Sequence, residues 1–226
     1  MSDHDSDVAE AGDDASRSVP LAGTTLVLGP SNVGKTTRTA RALERWVAAH
    51  GSDGVVVLDF APELERDGRL LGGRLDRFTD LLVGGDDETA WNDPAERTAV
   101  RRPNGLWYGV LDAHAPRAEG STEDAAVALA GENAAGAARL LERAPADPRA
   151  VFVNDATIPL QHPTGDADSL LAYCDGAAVA VLNAFESDEL GVDDAVSRRE
   201  RDALETLVAG ADRVVRLASP RRSCRR

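Results

Sequence analysis

The chain has 226 residues, 42% of them apolar, enough to bury one sizeable core and to predict one domain. Acidic residues outnumber basic ones by 39 to 25, a formal net charge of −14, and the two cysteines, Cys174 and Cys224, are too few and too far apart for a disulfide framework or a metal cluster. No apolar run approaches the roughly 18 residues of a membrane-spanning helix, and no signal peptide opens the chain, so the sequence predicts a cytoplasmic protein.

In chain order, residues 1–22 are an acidic Ser/Asp/Ala stretch with almost no large apolar side chains, the composition of a disordered tail. Residues 23–218 are expected to form the domain. Thr24-Thr25-Leu26-Val27-Leu28 is a β-branched, apolar run that predicts the first strand and ends at Gly29. Leu43, Trp46, Val47 and His50 then recur at helical spacing, with Gly51 as the stop. Gly54-Val55-Val56-Val57-Leu58-Asp59 is a continuous apolar run of the kind found in a buried parallel strand. Residues 60–120 are rich in turn signals and read as an insertion, with a strand over 106–111 and Trp91 and Trp107 as its packing residues. Residues 121–143 predict one or two alanine-rich helices, with Ser121 or Thr122 as cap and Pro145 beyond the end. Strands follow over 150–155, 177–183 and 212–217, with a helix over 197–208 before the last. Residues 219–226 form a short basic tail. Strands alternating with helices predict a doubly wound α/β sheet, mainly parallel, of about five strands with helices on both faces.

Between the first strand and the first helix stands Gly29-Pro30-Ser31-Asn32-Val33-Gly34-Lys35-Thr36, an ungapped match to the phosphate-loop pattern G-x-x-x-x-G-K-[ST]. Lys35 is the only lysine of the chain. The residue types suit the chemistry. Gly29 and Gly34 let the backbone curl so that its N–H groups face phosphate oxygens, and the helix that follows adds its positive end. Lys35 is expected to bridge the β- and γ-phosphates and the Thr36 hydroxyl to ligate Mg²⁺, while Thr37 completes the phosphate-binding set from Gly29 to Thr37.

Such a loop needs a carboxylate at the end of a neighbouring strand. Asp155 and Asp59 both qualify. Asp155 is assigned to the Mg²⁺ shell and Asp59 to an acceptor or to positioning a water; the alternative for either is a cap on the turn that follows it. Asn183 ends the strand over 177–183, and its resemblance to a polar residue at that place in many phosphate-loop proteins implies contact with the γ-phosphate or the attacking water. Ala156 follows Asp155, so the second acid that polarises water in many ATPases is missing at that position. Asn183-Ala184-Phe185-Glu186 lacks the lysine and aspartate of a guanine-specific motif, which makes ATP the expected nucleotide.

Taken together, residues 24–50 resemble the P-loop NTPase superfamily, with Asp155 and Asn183 in positions similar to its metal-shell and polar-contact residues. The resemblance implies MgATP bound at the carboxyl edge of the sheet. The acidic, arginine-only style of the rest resembles the proteins of salt-in haloarchaea, where surface charge is an adaptation to molar salt. That weakens any inference from charge to partners; a nucleic-acid partner has no support. Ser197-Arg198-Arg199-Glu200-Arg201 resembles the arginine lids of small phosphotransferases, or else forms an exposed salt-bridged face. His114 and His162 lack metal-ligand spacing. Two functions follow: an enzyme that hydrolyses ATP or transfers its γ-phosphate to a small acceptor held by residues 59–120, or a nucleotide-dependent switch that engages a protein partner and turns over little.

Overall fold

Continuous β-branched runs cannot leave either face in water, so they stack as inner strands of a sheet covered on both sides. The computed structural model describes residues 18–66, 69–71, 73–84, 97–187 and 193–218. Its strands are β1 (Gly23–Gly29), β2 (Val55–Asp59), β3 (Leu64–Arg66), β4 (Arg69–Leu71), β5 (Thr98–Arg101), β6 (Trp107–Leu111), β7 (Ala150–Asn154), β8 (Val179–Phe185) and β9 (Arg213–Arg216). The helices are α1 (Lys35–His50), α2 (Pro116–Glu119), α3 (Glu123–Arg143), α4 (Ala167–Asp175) and α5 (Ala195–Gly210).

The fold is α/β, with a seven-stranded, mostly parallel sheet in the order β5-β6-β2-β7-β8-β1-β9. Only β5 runs antiparallel, paired with β6 at one edge. The expected count of about five strands is therefore corrected to seven. Residues 60–120 extend the sheet beyond β2 through β6, the strand expected over 106–111, and through β5, which was not expected. Among its described residues the same stretch also carries the separate β3–β4 hairpin and three single 3-10 turns, Leu75–Arg77, Asp80–Leu82 and Pro103–Gly105.

Side chains alternate between the two faces of each strand. Leu26, Leu28, Leu58, Val153 and Leu182 meet α3, α4 and α5 through Leu140, Leu170 and Leu204. Val27, Val57, Phe152 and Val181 meet α1 through Ala40, Leu43 and Trp46. Leu75 and Val19 join this second core. Val19, at the end of the stretch expected to be a tail, is 3% exposed and its carbonyl accepts from Arg45 Nη1 at 2.8 Å. Residues 1–17, Trp91 and the basic tail over 219–226 lie outside the described residues. Trp107 packs in the core of the sheet rather than in a separate insertion.

The helix caps follow the sequence. Thr122 Oγ1 caps α3, one continuous helix, by accepting from Ala125 N, and Asp194 caps α5 by accepting from Ser197 N. No helix among the described residues is long and apolar enough to cross a membrane.

The topology creates one crevice at the carboxyl edge. From β1 the chain crosses through α1 to β2, passing β8 and β7; from β8 it crosses through α5 to β9, passing β1 in the other sense. Strand order reverses there, and open α/β sheets bind ligands outside such a reversal.

Candidate functional site

The loop between β1 and α1 lies at this crevice. Three of its residues adopt conformations that favour glycine or asparagine: Gly29 (φ 152°), Asn32 (φ 61°) and Gly34 (φ 88°). A Cβ at Gly29 would also meet the Leu217 carbonyl oxygen at 2.5 Å, so the first glycine is required by close approach as well as by φ. Gly34 is the residue before α1, and the helix opens directly on Lys35, Thr36 and Thr37. Among the described residues, the N–H groups of Asn32, Val33 and Gly34 meet no backbone or side-chain acceptor.

Lys35 is 8% exposed. Its Nζ folds back to donate to the Pro30 carbonyl at 2.7 Å and stands 5.8 Å from the Phe185 ring centroid. A cavity of about 790 Å³ opens here, lined by Ser31, Asn32, Gly34, Lys35, Thr36 and Thr37 on one part of its wall. Asp155, Thr157, Gln161, Phe185, Arg117 and Glu200 line another, and Pro62, Phe78, Pro116 and Ile158 contribute apolar surface.

Asp155 follows β7 in a left-handed conformation (φ 52°). Its N–H donates to Asn183 Oδ1 at 3.1 Å, while its carboxylate accepts no hydrogen bond among the described residues. Burial raises its pKa to about 6; the Lys35 ammonium pulls against that rise and the Glu200 carboxylate adds to it. Asp155, Lys35 and Thr36 line the same cavity.

Asp59 and Asn183 are placed differently. Asp59 is fully buried and lines no part of the cavity. Its carboxylate accepts from Leu75 N (2.6 Å), Asn154 Nδ2 (2.8 Å), Tyr108 Oη (3.0 Å) and Ala61 N (3.4 Å). Burial raises its pKa to about 6 despite these four donors, each of which lowers it. Asn183 is also 0% exposed and donates through Nδ2 to Thr39 Oγ1 (3.0 Å) and Asn154 Oδ1 (2.9 Å). Asn154 donates in addition to the Gly73 carbonyl at 2.9 Å. A buried polar relay thus runs along the edge of the sheet, from α1 through Asn183, Asn154 and Asp59 to residues 73–75. The register of β2 on β7, which pairs Asp59 with Asn154, builds its centre.

Sequence reasoning missed Asn154, Tyr108, Arg117, Gln161 and Glu200. Glu200, 5% exposed, accepts from Thr157 Oγ1 (2.8 Å), Gln161 Nε2 (3.0 Å) and Arg117 Nη1 (2.5 Å), so it ties the loop after β7 to α2 and α5. Its place between arginines in the sequence is the one signal that could have found it. Its neighbours Arg198 and Arg199 bond to Asp193 and Gly165 and do not line the cavity. A second cavity of about 410 Å³, floored by Leu204, Val208 and Ala209, adjoins the first; Arg117, Phe185 and Glu200 belong to both walls. His114 bridges Glu119 and Glu132, and no cluster of three metal-ligating side chains occurs among the described residues. Cys174 is buried, its thiol pushed up to about 12 by burial, which leaves it unreactive.

No family model matches the sequence, and no curated protein or solved structure matches it either.

Proposed function

We propose that this protein is a P-loop nucleotide-binding protein that takes ATP and acts on its γ-phosphate, by hydrolysis or by transfer to a small acceptor. The observation that carries the reading is the join of loop and carboxylate. A glycine-flanked loop with three N–H groups that meet no acceptor among the described residues leads into a helix, and its lysine shares a cavity with an aspartate whose carboxylate accepts no hydrogen bond from those residues. Unpaired N–H groups at a helix start form an anion site, and a buried lysine beside them supplies the positive charge that a polyphosphate lacks.

Mg²⁺ fits the donor set. Thr36 and Asp155 offer hard oxygen ligands on the wall of that cavity, neither engaged in a hydrogen bond among the described residues, and magnesium prefers one or two such groups plus phosphate and water. Thr36 and Asp155 would hold it; when bound, it offsets phosphate charge. The chain's own residues do the rest: the loop orients the phosphates, Lys35 gives up the Pro30 carbonyl for them, and Phe185 shields the lysine from water.

A second reading, a nucleotide-dependent switch with little turnover, is favoured by the buried relay. Thr39, one turn into α1, connects through Asn183, Asn154 and Asp59 to residues 73–75, and residues 73 and 78 line the cavity. The two readings differ in phosphate release and in ATP-dependent protection of residues 60–84 from protease.

The test of nucleotide binding itself is Lys35→Ala. It should weaken MgATP binding about tenfold or more, since a charge-assisted contact is worth about 1.5–3 kcal/mol. Equal titrations of variant and parent would sink the assignment.

A further inference from the structure

We infer that Arg117 is a second phosphate-binding cation of the large cavity, one that reads the terminal phosphoryl group of a nucleotide held by the loop over residues 29–36. The inference rests on the nucleotide reading above and adds a residue that no sequence pattern marks.

Arg117 is the only arginine among the described residues that lines the cavity. It rides on α2, a single turn pinned from several sides. His114, just before it, meets Glu119 through Nδ1 and Glu132 through Nε2, both at 3.0 Å. Asn133 of α3 accepts from the His114 N–H at 2.9 Å and donates to the His114 carbonyl at 3.0 Å. Ala115 N donates to Glu119 Oε1 at 2.7 Å. A guanidinium carried on such a turn starts from a fixed point, and preorganisation of this kind keeps the cost of ordering low when an anion binds.

The guanidinium is held at one corner. Its hydrogen bonds among the described residues go to Glu200 Oε2 at 2.5 Å and Ser197 Oγ at 3.2 Å, and both leave from Nη1. Arginine carries five N–H donors in a planar fork, so Nε and Nη2 keep theirs. Neither atom is sealed in the protein without a partner, and the side chain is 17% exposed and lines the cavity that Lys35, Thr36 and Asp155 also line. Glu200 does not spend its whole charge on Arg117 either, because Thr157 and Gln161 also donate to it. The pair therefore anchors the arginine and leaves its open edge able to receive phosphoryl oxygens, the geometry in which arginine outperforms lysine. A cation so placed favours the triphosphate over the diphosphate and offsets charge on the phosphoryl group as it leaves.

The experiment compares binding of the magnesium complexes of ADP and of the non-hydrolysable imido analogue of ATP, by calorimetry, to the full chain and its variants. The parent should prefer the triphosphate about tenfold or more, as expected for a charge-assisted bidentate contact. Arg117→Ala should bring that preference to within about twofold while leaving ADP affinity nearly unchanged, and Arg117→Lys should fall between. Because Arg117→Ala abandons a buried carboxylate, the Arg117→Ala/Glu200→Gln double variant is measured beside it and should behave alike. A folded variant that keeps the parental preference overturns the inference, as does a parent that binds both nucleotides equally. Nucleotide binding that is indifferent to Lys35→Ala overturns the P-loop reading instead, and the Arg117 inference falls with it.

Discussion

Asp59 and Asp155 end neighbouring strands, and burial raises both to a pKa of about 6, yet they sit in opposite circumstances. Four protein donors converge on Asp59, which has no exposed surface and ties β2 to β6, β7 and residues 61–75. No donor among the described residues converges on the carboxylate of Asp155, which lines a cavity with Lys35. A raised pKa therefore does not by itself mark a site of chemistry. The number of protein donors does the sorting: a carboxylate satisfied from within is a fastener, whereas one left unsatisfied is poised for something that binds. On that basis the acceptor or water-positioning role expected for Asp59 passes from contact to support. Asp59 would act by holding residues 73–75 against the cavity.

The largest effect should come from removing the fastener. Asp59→Ala leaves Leu75 N, Tyr108 Oη and Asn154 Nδ2 without their acceptor in a buried site, and unsatisfied buried groups cost about 1–3 kcal/mol each. Destabilisation of about 3 kcal/mol or more in urea unfolding is expected, with partial losses because the groups relax together. If instead the variant unfolds like the parent and only phosphate release is lost, Asp59 acts directly on the reaction and the comparison is broken.

Asp155 should respond in the opposite direction. Its folded pKa, about 6, lies above the unfolded value of 3.8, so the folded state binds the proton more tightly. The stability this group contributes is present below about pH 4 and is lost as pH rises through 6. Asparagine cannot ionise and escapes that loss. Asp155→Asn should therefore stabilise the nucleotide-free protein by about 2 kcal/mol at pH 8, with the gain fading as pH falls below 6. The same variant should lose the Mg²⁺-dependent part of ATP binding while keeping the metal-free part. A variant less stable than the parent at pH 8 would show that hidden partners satisfy the Asp155 carboxylate.

What could be read from the sequence divides along the same line. The loop from Gly29 to Thr36 was legible because its determinants are local: a strand, two glycines and a helix within thirty residues of chain. The strands β1, β2, β7 and β8 were legible as apolar runs for the same reason. Their order was not, because pairing depends on which faces α1 and α5 cover, and that is settled only when the helices pack. Asp59 and Asp155 looked equivalent as acidic ends of apolar strands. They differ because Asp59 meets Asn154 across 95 residues of sequence and a Tyr108 hydroxyl on the next strand. Arg117 was invisible, since its partner Glu200 lies 83 residues away and α2 is too short to show a period. Within 60–120 the strand over 106–111 was legible as an apolar run and became β6, whereas β5 was not, because it is short and stands among turn-rich flanks although it extends the main sheet.

The smallest effect gives the sharpest test of the donor argument. Tyr108→Phe removes one donor to Asp59 and almost no volume, leaving Asn154, Leu75 and Ala61 in place. The lost bond is to a carboxylate that is ionised above pH 6 and protonated below it, so its worth depends on pH. Above pH 6 the variant should lose about 1–2 kcal/mol, the range for a hydrogen bond to a charged group. Near pH 4, where Asp59 carries a proton in the folded protein, the loss should shrink by about half or more, because only a neutral bond is forfeited. Removing the donor also pushes the Asp59 pKa further up, which moves the midpoint of that pH dependence to higher pH. Nucleotide titrations should be unchanged, since neither Tyr108 nor Asp59 lines the cavity. A loss that is the same at pH 4 and pH 8 would mean that the hydroxyl serves packing alone, and that Asp59 owes its ionised form to the other three donors.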